Sequence, residues 1–322
     1  MKYQENLTMR LAEGLGAIPD VVRERHVQFL LDAQQADGGF SGREGLSDLY
    51  YTSFALRGLA IGGSLHGAVA ERAGDFLGVQ MDRQLSVVDF LSFLYSQKLL
   101  EASAGIDILT NASSEWGRKV EQLFDACRRE DGGYARGPEN PRSSTYHTFL
   151  ILICLELLDL AVPQPEAIVD FLRSQQREDG GFVEFAPMRR SGTNPTAAAM
   201  GALQILDALS PTVAAASADF LAQMQTSEGG LRANTRIPIA DLLSTFTGLL
   251  TLLELEEAGS IQLDRLVQFI EELDDSRGGF TGALWDTDRD VEYTFYGLAS
   301  LALLARAGHS FNPQKASPHD VR

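Results

Sequence analysis

Five Gly-Gly pairs that are each followed by Phe, Tyr or Leu punctuate the chain at nearly constant intervals, and no other feature restricts its folding as strongly. They stand at Gly38-Gly39 (ADGGF), Gly132-Gly133 (EDGGY), Gly180-Gly181 (EDGGF), Gly229-Gly230 (SEGGL) and Gly278-Gly279 (SRGGF). Successive first glycines are 94, 48, 49 and 49 residues apart. A step of 94 is two periods of 47, so one repeat without the pair lies between Leu65 and Leu100, and the count becomes six. A fixed period of this length marks stacked supersecondary units that bury their apolar faces only against one another.

Each unit reads as helix, glycine turn, loop, helix. Ahead of the glycines runs an amphipathic stretch such as VVRERHVQFLLDAQQ or EAIVDFLRSQQ, with apolar residues three and four apart and charges on the other face. These are outer helices, wet on one side. After the loop comes DLYYTSFALRGLAI, STYHTFLILICLELL, DLLSTFTGLLTLLEL or DVEYTFYGLASLALL, apolar nearly all round and therefore an inner helix enclosed by protein. The glycines end the outer helix in the left-handed conformation that residues with a Cβ avoid, and the chain reverses there.

Aligned on their shared pattern, the inner helices place Asp48, Asp89, Ser144, Asn194, Asp241 and Asp290 at equivalent positions. All six belong to the residue set that caps helix N-termini by accepting an orphan backbone N–H. Pro195 then falls at the first helical position, where proline is favoured. The inner helices accordingly all start at one end of the assembly, with the second and third residues after each cap turned inward.

A hydrophobic fraction of 44% in 322 residues is enough for a sizeable core. The formal charge of −17 argues against a nucleic-acid partner and disfavours an anionic membrane surface, since both need a basic face. No stretch approaches the roughly 20 apolar residues of a bilayer span, and MKYQENLTMR lacks the apolar core of a signal peptide. The expectation is a cytoplasmic protein, not an integral membrane one. Cys127 and Cys154 show no paired spacing, so neither a disulfide framework nor a cysteine-rich zinc cluster is available, and both read as small buried residues.

Repeats of this period carrying Q-x-x-D-G-G-F ahead of an inner helix resemble the prenyltransferase/squalene-oxidase repeat of protein prenyltransferase β subunits and terpene cyclases. The resemblance runs from about Val21 to Ala307, and DGGFSGREGLSDLYYTSFALRGLAIGG is especially similar to the β subunits of Rab geranylgeranyltransferases. It implies an all-α fold: a single-domain α6/α6 toroid, or barrel, of six helical hairpins over residues 21–307. Residues 1–20 would be a lead-in and residues 308–322 a loosely ordered tail.

The same resemblance implies a zinc ion held by the position of Asp241 and by positions occupied here by Leu243 and Tyr293. A leucine cannot bind zinc and tyrosine is an uncommon ligand, so no metal and no other cofactor is expected. His147, on the third inner helix, is the only histidine at an equivalent depth. Diphosphate binding in the family uses cations near Arg232 and Arg236 and a histidine replaced by Asn194, with Arg189 and Arg190 in the preceding loop. Aromatic residues crowd the inner helices: Tyr50, Tyr51, Phe54, Phe90, Phe93, Tyr146, Phe149, Phe246, Tyr293, Phe295 and Tyr296. A ring of aromatics suits a long polyene that must be desolvated and folded.

A different chemistry is suggested by the sixth repeat, LWDTDRDVEYTFYGL, which is similar to the acidic motif of class II terpene cyclases. On that alignment Glu292 is the acid, kept protonated by burial and by Asp288 and Asp290, and Thr294 is retained. Three functions follow as expectations. The first is an isoprenoid-binding, zinc-independent relative of the prenyltransferases. The second is a single-domain class II cyclase using Glu292, and the third a non-catalytic toroid that binds lipid or protein. The ligand is then an isoprenoid or an isoprenoid diphosphate. The family pattern implies a separate α subunit for a protein acceptor, with self-association of the outer helices as the alternative.

Overall fold

A computed structural model describes residues 2–81, 83, 85–111, 114–309 and 311, so most of the tail over 308–322 lies outside the described residues. In chain order the helices are α1 (Tyr3–Leu15), α2 (Asp20–Asp32), α3 (Leu49–Ile61), α4 (Ala68–Gln80), α5 (Val87–Ala104), α6 (Ser114–Cys127) and α7 (Thr145–Leu157). They continue with α8 (Pro165–Ser174), α9 (Thr193–Ile205), α10 (Pro211–Ala222), α11 (Leu242–Glu254), α12 (Leu263–Leu273) and α13 (Val291–Arg306). The all-round apolar stretches are α3, α5, α7, α9, α11 and α13; each packs on the next, and α13 packs back on α3. The result is a closed α/α toroid with the amphipathic helices outside. The repeat without a glycine pair is α4 and α5, joined by residues 81–86. No helix among the described residues is long and apolar enough to cross a membrane.

Two glycines show why the period is strict. Gly180 has φ +83°, and a Cβ there would overlap the carbonyl oxygen of Ala216 on α10, the next outer helix. Gly278 has φ +90° and meets Arg25 on α2 in the same way, so the turn that stacks one repeat on the next also closes the ring. After each glycine pair the next N–H turns inward and is satisfied by a threonine hydroxyl on the inner helix: Phe182 donates to Thr196 at 2.9 Å. Phe40 with Thr52, Tyr134 with Thr148, Leu231 with Thr245 and Phe280 with Thr294 repeat the bond. Buried backbone that cannot reach water is thereby paired.

Four of the six expected caps hold: Asp48, Ser144, Asp241 and Asp290 each accept the backbone N–H three residues on. Two are corrected. Ser86 caps α5, and Asp89 sits in its first turn, where it accepts the Ser86 hydroxyl at 2.7 Å. Gly192 occupies the cap position of α9, so Asn194 and Pro195 lie inside the first turn. Both shifts have one cause: a short polar side chain is equally at home at the cap and two or three residues beyond it.

Residues 3–15 form a helix across the far end of the ring, where the inner helices finish. The Tyr3 N–H donates to Glu156 at 2.8 Å, and Arg10 pairs with Glu254 at 3.1 Å. Lys2 donates to the Leu157 carbonyl at 3.1 Å, a cation set at the negative end of α7. Leu7 and Leu11 turn up into the ring, so α1 is the floor of its lumen.

Candidate functional site

Because the inner helices start together, their first turns surround a mouth, and a lumen of about 460 Å³ runs down to α1. On α3 the residues at the wall are Tyr50, Phe54, Arg57 and Ile61, one face of a helix. Tyr146 and Phe149 of α7, Phe246 of α11, and Phe295 and Tyr296 of α13 complete an aromatic wall. Its rings meet edge-on or tilted, with Phe54 5.2 Å and Phe246 5.4 Å from Tyr296. Tyr95 lies deeper, its hydroxyl beside Thr8 of the floor.

The mouth is acidic. A cavity of about 710 Å³ there is bordered by Glu44, Asp241, Asp286, Asp288, Asp290 and Glu292, with Tyr51, Tyr293 and the cation Arg43. Arg43 donates to both oxygens of Asp286, at 2.9 and 2.5 Å, and through Nε to Asp290 at 3.0 Å. Its charge is committed to tying the first repeat to the sixth.

Glu292 sits between mouth and lumen. Its Oε1 accepts the Tyr50 hydroxyl at 2.7 Å, and the Tyr296 hydroxyl lies near enough to favour the carboxylate form. Burial raises its carboxyl above the ordinary value, an effect the Tyr50 bond opposes and the neighbouring Asp290 reinforces. Burial likewise raises Asp290, whose Oδ1 caps α13 through the Tyr293 N–H at 2.9 Å. Asp288 is exposed at the rim of the mouth cavity, its N–H donating to Asp286 at 3.2 Å.

Of the residues expected to touch substrate, Tyr50, Phe54, Tyr146, Asn194, Phe246 and Tyr296 come together in the lumen, and Tyr51 and Tyr293 at the mouth. Asn194 accepts the Thr247 hydroxyl at 2.7 Å. Four do not reach the cavity wall. Phe93 is fully buried in the helical core. His147 is buried behind the wall with Nδ1 2.8 Å from the Ser144 hydroxyl, and burial, helped by Arg136, pushes it down to about 4. Arg232 donates backward to the Gln223 carbonyl at 3.2 Å, and Arg236 is exposed on its loop. The loop between Leu231 and Asp241 borders the mouth with Ile237, Ile239 and Ala240, and neither of its cations is part of that lining.

The positions that the family assigns to zinc carry other side chains or are otherwise engaged. Asp241 is committed to Ser244, accepting its N–H at 2.7 Å and its hydroxyl at 2.8 Å. Leu243 presents hydrocarbon to the lumen, and the Tyr293 hydroxyl, pushed up to about 12 chiefly by burial, stays protonated.

Sequence reasoning passed over Arg43, Arg57, Tyr95 and Glu184. Arg57 had a signal: it is the charged residue within the apolar run LYYTSFALRGLAI, on the face of Tyr50 and Phe54. Glu184 comes from the fourth repeat's loop to the lumen wall, where it accepts the Ser144 hydroxyl and, at 3.4 Å, the Tyr146 N–H.

Residues 9–89 and 100–316 match the prenyltransferase alpha-alpha toroid domain. No curated protein sequence matches the chain. Among solved structures, the protein geranylgeranyltransferase-I of Candida albicans, complexed with GGPP, superposes with a TM-score of 0.70 at 14% identity, over 91% of this chain and 94% of that one. A variant of the type II terpene cyclase MstE from Scytonema, in complex with geranylgeranyl dihydroxybenzoate, gives 0.61 at 15% identity, over 94% and 99%. An inactive variant of the alpha-1,6-mannanase GH76A of Salegentibacter, in complex with alpha-1,6-mannotriose, gives 0.60 at 13% identity, over 88% and 98%. At these identities the likeness is one of fold, and one ring carries three chemistries.

Proposed function

The chain belongs to the prenyltransferase alpha-alpha toroid family, and from that membership we propose that it binds an isoprenoid chain inside the ring. The observation that carries the reading is the aromatic lumen, closed below by α1 and open above. Burying a polyene there removes apolar surface from water, and the ring faces favour positive charge developing along the chain.

The mouth argues for a ligand without a diphosphate. Six carboxylates border it, and its one cation, Arg43, is taken up by two of them. A diphosphate at that place meets like charge, and neither Arg232 nor Arg236 is among the residues that border the cavity. The zinc-ligand positions of the family offer a carboxylate engaged in capping, a hydrocarbon and a protonated phenol. That donor set does not fit zinc, and we derive no transfer step through a metal.

The bond between Tyr50 and Glu292 supports a reaction as well as binding. A protonated Glu292 is placed to deliver its proton to a terminal alkene carbon or epoxide oxygen at the top of the lumen. The next double bond then closes a ring onto the cation, and the last cation releases a proton to water, which leaves a net isomerisation. The Tyr50 and Tyr296 hydroxyls stabilise the carboxylate left behind and so make Glu292 a stronger acid than burial alone permits.

Calorimetric titration with geranylgeraniol and with geranylgeranyl diphosphate tests the binding. The expected result is micromolar affinity for the alcohol and no gain from the diphosphate. Tighter binding of the diphosphate overturns the reading of the mouth, and binding of neither overturns the isoprenoid reading. Incubation with polyenes, analysed for cyclised products in the unaltered chain and in Glu292→Gln, tests the reaction.

A further inference from the structure

Arg57 lines the lumen, yet among the described residues it forms no hydrogen bond and no ion pair, and its Nε is buried without a partner. Only ring faces touch the guanidinium: Tyr95 at 4.5 Å, Phe54 at 5.0 Å and Phe295 at 5.8 Å from the centroids. The other charged side chains nearby have polar partners. On the floor Arg10 pairs with Glu254 at 3.1 Å. Toward the mouth Glu292 accepts from Tyr50, and Glu184 from Ser144 and Tyr146.

A guanidinium keeps its proton in any protein environment, so Arg57 is charged whatever its surroundings. Cation–π contacts offset part of the cost of holding it away from bulk water, and they leave its five N–H donors unused. Those donors form a planar fork that matches a carboxylate in two parallel hydrogen bonds. Arg57 stands seven residues beyond Tyr50 on α3, about 10 Å further down the lumen at a rise of 1.5 Å per residue. The lumen therefore has an acid at its upper end, a free cation toward its lower end and an aromatic wall between them.

We propose that the lumen takes an isoprenoid with a single carboxylate head, the head seated on Arg57 and the tail running up the aromatic wall to Glu292. The assignment rests on the isoprenoid reading and sharpens it to a substrate class and an orientation. An acid-first cyclisation needs the terminal double bond at Glu292, and a head anchored at Arg57 puts it there. The acidic mouth agrees with this orientation, because an anionic head left there meets like charge, whereas one seated at Arg57 meets the lumen's unpaired cation among the described residues.

The test compares geranylgeranoic acid with geranylgeraniol, titrated calorimetrically into the full chain at neutral pH. The unaltered protein should bind the acid roughly 10- to 100-fold tighter, the worth of a charge-assisted hydrogen bond. Arg57→Met should abolish that preference by weakening the acid alone, and Arg57→Lys should keep part of it. Equal binding of acid and alcohol, or a preference that survives in Arg57→Met, overturns the assignment and leaves the isoprenoid reading standing. Binding of neither ligand overturns the isoprenoid reading and the head-group assignment with it. The comparison in the unaltered chain decides even where Arg57→Met does not fold.

Discussion

The Tyr50 hydroxyl on α3 donates to the Glu292 carboxylate on α13 at 2.7 Å, joining the first and sixth repeats across the seam of the ring. Arg43 crosses the same seam to Asp286 and Asp290, and Gly278 abuts α2 there. The place where the ring closes is thus the place where its chemistry is assembled, and two residues 242 positions apart in sequence meet only if the sixth repeat docks on the first.

Removing the Tyr50 hydroxyl takes away a donor that opposes the effect of burial on Glu292. In Tyr50→Phe the carboxyl should hold its proton to higher pH. A general acid works when protonated and fails as pH rises through its pKa, so the alkaline limb of the pH–rate profile should move to higher pH in this variant, with a lower rate on the plateau. Glu292→Gln should lower turnover by about 10²- to 10⁴-fold. An alkaline limb that stays in place in Tyr50→Phe would mean that Glu292 is not the titrating acid.

The glycine turn makes a stability prediction with an internal control. Gly278→Ala must accept both a left-handed backbone and an overlap with Arg25, at a cost of about 2–4 kcal/mol. Gly78, inside α4 with open space where a Cβ would go, should gain about 0.5–1 kcal/mol on the same substitution. Chemical denaturation of the two variants should move the midpoint in opposite directions.

The ring was legible in the sequence because five of its six turns carry the glycine pair and its inner helices are predominantly apolar. What lines the lumen was less so, and the reason is geometric. An inner helix that is apolar all round has no polar face to fix its rotation about its own axis. Phe93 and Phe54 consequently look alike in sequence, although one is core and the other is wall. Arg57 supplies the missing phase for α3, since a cation on an enclosed helix points toward the cavity. The loop cations had no such marker: Arg232 turns back on Gln223 through a hydrogen bond that spacing does not predict. The docking of α1 is likewise tertiary, set by Glu156 and Glu254 far along the chain.

His147 offers a prediction on the acid side. Burial pushes it from its ordinary value of 6.5 to about 4, so the unfolded chain takes up this proton before the folded one does. The stability it confers is full above pH 6.5 and is lost as pH falls to 4, about 3 kcal/mol in all. Several buried carboxyls titrate in the same window with the opposite sign, so the comparison must be made against His147→Asn. The variant should lose less of its thermal stability between pH 7 and pH 4 than the unaltered chain, and parallel curves would show that His147 is solvated.

The floor of the lumen makes the last prediction. Glu254 has a side chain only 10% exposed, and it is held by Arg10 at 3.1 Å and by the Tyr3 hydroxyl at 3.4 Å. Burial already raises its carboxyl, and Arg10 opposes that rise. Arg10→Met therefore leaves a buried carboxylate without its cation, which should cost about 2–4 kcal/mol at pH 8. At pH 5 the cost should shrink, because losing the cation raises this carboxyl further, and at the lower pH more of it takes up a proton and needs no counter-charge. The double variant Arg10→Met, Glu254→Met should recover most of the loss at both pH values, since well-packed apolar residues replace an ion pair at little cost. Thermal melts of the two variants at pH 5 and pH 8 give all four values. A loss in Arg10→Met that is small and independent of pH would show that α1 is held by its apolar face alone, with the ion pair adding only register. Leu7 and Leu11 of the same helix line the lumen, so a loosened α1 should also weaken ligand binding, and more at pH 8 than at pH 5.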